Sequence, residues 1–405
     1  MPALNPFHVL RHRNFRLFWF GQTLSLIGTW MQSMAQGWLA LELTNNAFLV
    51  GLVASAGSLP IVLFSMHAGV LADRYERLRL VKICQALLLL LAGALFWFTY
   101  TGSISIGWLL AFAFAGGVIS SLEIPARQSL TIELAGREDL PQAIALNSSG
   151  FNLARIVGPA LAAFVISRFG IAWAFGFNAV SFVTVLVGLM LVDLPPWQPA
   201  AKLVRPLEGI RESLRYMRDT PLIAAIMKLV MVYSILGIPF LALMPVFARD
   251  RMGLGAGGYG LLLSCVGVGG FVGALGIAAG SGRQAGIKTL VAASYAFPVL
   301  LLALAATGDV RVAYLLLFAA GVSMIINGAV SNAVLQHSVP DALRGRMMAA
   351  YSFVVVGLAQ TVGSFSAGVI ARAFGVQWAI AASAVLMLAY GAIVFRRYPF
   401  RQATG

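Results

Sequence analysis

Ser58-Leu-Pro-Ile-Val-Leu-Phe-Ser-Met-His67-Ala-Gly69-Val-Leu-Ala-Asp73-Arg74-Tyr-Glu-Arg77-Leu-Arg79 shows in one stretch how this chain is organised. An apolar run covering 47–71 stops abruptly in a burst of charge. A run of that length crosses a hydrocarbon core, and the charge marks where the chain leaves it. The same alternation recurs along the sequence. Further runs lie at 15–41, 80–101, 106–130, 142–167, 172–193, 222–247, 257–280, 287–306, 311–335, 347–371 and 376–395. The expected fold is all-α and integral to a membrane, with twelve transmembrane helices.

The composition leads to the same place. Of 405 residues, 60% are apolar and only 10% charged. A soluble domain would have ~25% charged residues. The apolar share is enough for roughly twelve spans of ~20 residues, which leaves no room for a sizeable soluble domain. The net charge of +14 would suggest nucleic acid in a soluble protein. Here it reads as the basic bias of the cytoplasmic face, and no nucleic-acid partner is expected. The two cysteines, Cys84 and Cys265, both sit inside apolar runs, so no disulfide framework is expected.

The basic residues sort by side. Arg11, Arg13 and Arg16 precede the first run, and Arg74, Arg77, Arg79 and Lys82 follow the second. Arg127 and Arg137 follow the fourth, and Lys202, Arg205, Arg211, Arg215 and Arg218 crowd the middle. Arg283, Lys288, Arg344, Arg346, Arg396, Arg397 and Arg401 complete that side. The opposite side has only Arg168, Arg249, Arg251, Arg311 and Arg372. This asymmetry predicts that both termini are cytoplasmic and that the number of spans is even. The arginine-rich start reads as a retained cytoplasmic tail.

The middle of the chain divides it. Pro195-Pro196 ends the sixth run, since no helix continues through that pair. Leu203, Leu207, Ile210, Leu214 and Met217 then recur at helical steps, with charges on the other face. This is an amphipathic helix, lying on the membrane surface or docking a partner. The halves also repeat. At a shift of 205 residues Gly158 aligns with Gly363, Phe169-Gly170 with Phe374-Gly375, and Trp173 with Trp378. The expected domains are an N-terminal six-helix bundle over 1–193, a cytoplasmic amphipathic linker over 194–220, and a C-terminal six-helix bundle over 221–405. Such pseudo-repeats are the build of a rocking transporter.

The charged stretch Gly69-x-x-x-Asp73-Arg74-x-x-Arg77-x-Arg79 resembles the signature of the major facilitator superfamily, Gly-x-x-x-Asp-Arg-x-Gly-Arg-Arg. Glu76 stands where that signature has its inner glycine, and Leu78 at one basic position. Asp73, Arg74 and Arg77, with Gly69, are expected to form a latch at the inner gate, against the plainer reading of a basic loop. The second half lacks the acid at Gly280–Lys288, so no second latch is expected. Gly158-Pro159 is similar to the fifth-helix motif of the superfamily's antiporters. Pro125-Ala-Arg127-Gln, Phe151-Asn152-Leu-Ala-Arg155-Ile-Val-Gly158-Pro159 and Leu343-Arg344-Gly345-Arg346 look like the branch that holds enterobactin exporters and macrolide- and tetracycline-type pumps. The resemblance implies twelve helices, cytoplasmic termini and export driven by the proton gradient. The arginine that many proton-coupled members have on the fourth helix is replaced here by Phe112.

Polar residues fall into stripes. Gln22, Ser25, Thr29, Gln32 and Gln36 share one face of the first run, and Asn147, Asn152 and Arg155 one face of the fifth. Ser323, Asn327 and Ser331 do the same on the tenth. Each stripe either lines a substrate path or glues helices together. Glu123, Arg155 and Lys228 are ionisable groups inside spans, and each must face protein or water. Depth pairs Glu123 with Lys228, while Arg155 stands alone or binds an anion. Glu123 is the first choice for the coupling proton, and a structural ion pair is the alternative. His67 reads as a packed or hydrogen-bonded histidine. His8, His12, His67 and His337 form no metal-ligand cluster, and no metal or cofactor is expected. Gly253-x-Gly255-x-x-Gly258 has no strand before it and is not a nucleotide site.

No nucleophile–base pair suggests an enzyme. The expected function is secondary active efflux of small amphipathic molecules, drug-like or siderophore-like, by a monomer in the inner membrane. The partners would be the bilayer, the substrate and protons. A proton-coupled importer and a lipid or lysolipid flippase are the alternatives.

Overall fold

A computed structural model describes residues 6–136, 138–194, 215–279 and 285–397. The side chains of Gly69 and Asp73, most of the expected amphipathic linker, and the 280–284 loop where no second latch was expected lie outside that description. Among the described residues every regular element is helical. The chain divides into two compact units: Met1–Leu43 with Leu59–Val204, and Thr44–Ser58 with Arg205–Gly405. The sequence-based division left Thr44–Ser58 with the first half; in the structure this segment packs with the second.

The first unit contains α1 (Arg13–Thr44), the Leu59–Arg74 part of α2 (Ala47–Arg74), α3 (Arg77–Tyr100), α4 (Ile106–Ala135), α5 (Leu140–Phe169) and α6 (Ile171–Met190). The second contains α7 (Pro221–Gly237), α8 (Phe240–Val246), α9 (Ala256–Ala279), α10 (Ala285–Ala306), α11 (Val310–Ser338), α12 (Asp341–Ser352), α13 (Ser364–Phe374) and α14 (Val376–Arg397). Among the described residues, eleven helical stretches are long and apolar enough to cross a membrane. Helix α1 is not one of them. Its 32 residues give ample length, about 48 Å, but its glutamines, serines and threonines dilute its hydropathy.

Small residues set the packing in the first unit. Helix α5 presents Leu146, Gly150, Ala154 and Gly158 at steps of four to α1. The indole of Trp19 donates to the Leu146 carbonyl at 3.2 Å. A Cβ at Gly150 would lie 2.9 Å from Thr23 Oγ1, and one at Gly158 would lie 2.5 Å from Trp30 Cβ and 3.0 Å from the Ile27 carbonyl oxygen. With no hydrophobic force between helices in lipid, close backbone approach is what holds them. Helix α5 runs unbroken through Pro159.

The repeat is visible in each half taken by itself. Gly170 and Gly375 end α5 and α13 with φ of 92° and 94°, a left-handed conformation that glycine adopts without strain. Gly363 stands to α7 as Gly158 does to α1, its Cβ position 2.5 Å from the Ile235 carbonyl oxygen. One difference breaks the correspondence. The chain is π-helical from Phe353 to Gly363, where α5 is an ordinary α-helix.

The first unit has a dense core at the end bearing the N-terminus. Val9, Phe15, Phe18, Leu130, Leu134, Ala143, Leu146 and Leu189 meet there. Val9 belongs to a short 3-10 helix, Pro6–Arg11. That segment is tied down by Asp139, the residue before α5. Asp139 accepts from His12 Nε2 at 2.8 Å, Arg11 at 3.2 Å and His8 Nδ1 at 3.4 Å. It makes no side-chain cap to its own helix. The His12 hydrogen bond, joined by His8 and the Arg11 charge, holds the Asp139 carboxyl below its ordinary range despite burial. This docking is therefore at full strength above the ordinary carboxylate range and is lost as acid brings the pH down through the lowered value.

Two outcomes follow. Asp139→Ala should free the N-terminal helix, so that trypsin cuts at Arg11 and Arg13 several-fold faster than in the wild type; unchanged cleavage would mean that Val9 alone anchors the segment. Gly158→Leu should destabilise the detergent-solubilised protein by about 1–3 kcal/mol through overpacking. Gly276→Ala, whose Cβ would meet nothing within 4 Å, should leave the melting temperature level or raise it.

Candidate functional site

Glu123 lies in α4 and is 5% exposed. The sequence suggested that this helix ends near 130, but it continues to Ala135 because Leu130, Leu134 and Ala135 are drawn into the core. Glu123 is thus about 18 Å from the helix end at 1.5 Å per residue, deeper than expected. Arg127 stands one turn further along the same face. Its Nε donates to Glu123 Oε1 at 2.7 Å. Gln85, from α3, donates to the same oxygen through Nε2 at 3.1 Å, while its own Oε1 is buried with no donor. Glu123 therefore has its cation on its own helix. Sequence reasoning looked for it in the other half, at Lys228, which is exposed on α7. Arg127 was counted with a basic connection although it falls within the run 106–130; four residues after Glu123 on one helix, it is the group that pairs with it.

Arg155 lies midway along α5. One of its terminal nitrogens donates to Asn152 Oδ1 at 3.1 Å, and Nε is buried without an acceptor. Among the described residues of its own unit, no carboxylate forms an ion pair with it. Asn152 in turn donates to the Ser148 carbonyl at 2.9 Å. Phe151, one turn before Arg155, stacks edge-to-face on Trp30 of α1 at 5.7 Å.

Several members of the polar stripes hydrogen-bond between helices. On α1, Gln22 and Ser25 are buried, and Gln32 accepts from Asn178 of α6 at 2.8 Å. Gln32 is thus interhelical glue. Thr29 is exposed and Gln36 half-buried. Asn147, half-buried on α5, approaches Thr131 of α4 at 3.5 Å. In the second unit Asn327 is buried and donates to Ser294 Oγ at 2.7 Å, joining α11 to α10. Tyr233 closes this network by donating to the Ser294 carbonyl, with the Met387 carbonyl also in range.

Near the expected latch, Arg77 forms an ion pair with Glu133 of α4, a partner not foreseen from the sequence. Arg74 is exposed, and so is His67, which was expected to be packed or hydrogen-bonded. Pro159 and Gly158 are buried, Gly158 against α1. The Asp139 cluster was also missed, because its members are more than 120 residues apart. Among the described residues there is no grouping of His, Cys, Asp or Glu that would hold a metal ion.

Known proteins place this arrangement. The enterobactin exporter EntS of Shigella flexneri is 26% identical over 355 residues, 83% of this chain and 80% of that protein. The staphyloferrin A transporter of Staphylococcus aureus is 29% identical over 178 residues, a match spanning less than half of that protein, 45%. Among solved structures, a bacterial homologue of the human lysosomal transporter Spinster superposes with a TM-score of 0.74 at 15% identity, covering 98% of this chain and 97% of that one. A POT family transporter superposes with a TM-score of 0.75 at 13% identity, covering 97% and 96%. The model of a major facilitator family described as transmembrane secretion effector matches residues 4–404. Matched over nearly its whole length, the chain belongs to that family, whose members are membrane transporters and not enzymes.

Proposed function

We propose that this protein is a proton-driven exporter of the inner membrane, moving small amphipathic molecules of siderophore-like or drug-like kind outward by alternating access. In this reading α1 is the twelfth span, tolerated in the bilayer because its polar face is turned to protein and to the substrate path. Both termini and the linker are cytoplasmic, as the arginine distribution requires. The observation that carries the direction and substrate class is the similarity to an enterobactin exporter over 83% of the chain.

Glu123 is the group through which protons would act. As a carboxylate it is held by Arg127 and Gln85. As an acid it would release Arg127 and present a hydroxyl, and the unpartnered Gln85 Oε1 stands ready to accept it. The pocket thus has a hydrogen-bond partner for both protonation states, and a change of state alters the α3–α4 contact. Gly69, Asp73, Arg74 and Arg77 act with this as the inner latch, and Arg77 already bridges α3 to Glu133 of α4.

Two measurements decide. Iron-starved cells lacking the gene should retain their secreted iron chelator, and cells overexpressing it should release more; equal release in both would remove the siderophore reading. In proteoliposomes, Glu123→Gln should abolish uptake driven by a pH gradient into inside-out vesicles while substrate binding persists. Arg127→Met should shift the pH profile of transport without abolishing it. Full gradient-driven uptake by Glu123→Gln would return Glu123 to a structural ion pair.

A further inference from the structure

Arg155 is a fixed positive charge with no ion-pair partner among the described residues of its own unit. From Leu140 to Arg155 and from Arg155 to Phe169 the helix rises about 21–23 Å each way. No arginine side chain reaches water at a helix end over that distance, so snorkelling does not relieve it. A guanidinium facing lipid at this depth costs at least ~2.5 kcal/mol, so the group must meet protein or a polar cavity. Its protein partner is the neutral Asn152 Oδ1. The chain has 14 acidic residues, and the one at comparable depth, Glu123, is already bound to Arg127. Histidine and lysine give up a proton under such conditions, but arginine does not.

The surroundings define what would complete the site. A guanidinium has five N–H donors in a planar fork that fits an oxyanion. Here Nε is buried and without an acceptor, and Asn152 holds one terminal nitrogen in place. One turn away Phe151 and Trp30 form an edge-to-face aromatic pair, with Phe151 45% exposed. Phe151, Arg155 and Gly158 follow at steps of four and three on one face of α5. A planar donor beside an exposed aromatic ring suits a molecule with an ionised carboxylate or similar oxyanion next to an aromatic or apolar body.

We propose that Arg155, held by Asn152 and flanked by Phe151 and Trp30, is the recognition point for the anionic group of the transported molecule, so that this protein selects small amphipathic organic acids over their neutral analogues. The proposal rests on the transporter reading, but its test does not depend on direction or on coupling to protons. The probes are dansylglycine, which has a carboxylate, and dansylglycinamide, which is the same molecule without the charge. Binding to the purified full-length protein in neutral detergent is followed by dansyl fluorescence at pH 7.5. The wild type should bind the acid at least about tenfold more tightly than the amide, the size expected for hydrogen bonds to a charged group. Arg155→Gln should bring the acid down to the affinity of the amide and leave the amide unchanged. Arg155→Lys, which keeps the charge but loses the fork, should fall between. Equal binding of acid and amide by the wild type would overturn the proposal without any variant. So would an undiminished preference in Arg155→Gln, or in Arg155→Lys should the glutamine variant not fold. A retained preference for the acid alongside failure of proton-driven export would instead count against the exporter reading alone.

Discussion

A charge or a backbone polar group inside hydrocarbon has no water to turn to, and the rest of this structure is arranged around that constraint. It explains why every described element is helical, since a helix satisfies its own backbone. It also explains why side-chain polarity is sparse and why several buried polar groups find partners on neighbouring helices. Asn178 reaches Gln32, Asn327 reaches Ser294, and Tyr233 finds a carbonyl. Each such contact is worth only about 0.6–2 kcal/mol, but leaving any of these groups without a partner would cost more. Against that background a group with too few partners stands out, and Arg155 is the clearest example.

The second organising feature is backbone proximity. Lipid tails are as apolar as leucine, so helices gain little by burying apolar surface against one another. They gain by fitting closely, which is why glycines and alanines line the α1–α5 contact in the first unit and Gly363 meets α7 in the second. The paired positions Gly158 and Gly363, and the paired left-handed caps Gly170 and Gly375, show that the two halves preserve these contacts while their side chains diverge. The π-helical stretch from Phe353 marks where the halves part. A wider turn rotates side chains relative to an α-helix, yet Gly363 at the end of the stretch keeps the close contact that Gly158 makes in the first half.

Much of this could be read from the sequence because the signals are local or periodic. Apolar run lengths give the helices, glycine positions at a fixed shift give the repeat, and three- and four-residue steps give the polar faces. What escaped was mostly non-local. Arg127 was read as a connection charge although it stands within the apolar run, one turn after Glu123, which it binds. Leu130 and Leu134, buried in a core with Val9 and Leu189, carry the helix on past both residues. The His8–His12–Asp139 cluster joins residues far apart in the chain, and no spacing rule announces it. Gln32 shows a third kind of limit. Its place on a polar face was legible, but whether that face meets solvent or another helix depends on Asn178, which lies in a run read only as apolar.

The two internal charge sites constrain how exchange would work. In the proposed mechanism a proton on Glu123 would release Arg127 and add positive charge to the first unit. That change attracts an anion to Arg155 and does not repel it, because like and unlike charges act over these distances with a fixed sign. Direct electrostatic competition between proton and anionic substrate therefore cannot drive them in opposite directions. In the proposed exchange the two ligands would favour different conformations, each shifting the equilibrium by its differential affinity. The groups suited to convey that difference are the ones that link helices near Glu123. Gln85 joins α3 to α4 at the carboxylate itself, and Arg77 joins the same two helices again at Glu133. Glu123 and Arg77 thus make two contacts of one helix pair, and in the proposed mechanism an anion at Arg155 would act on them through conformation and not through charge.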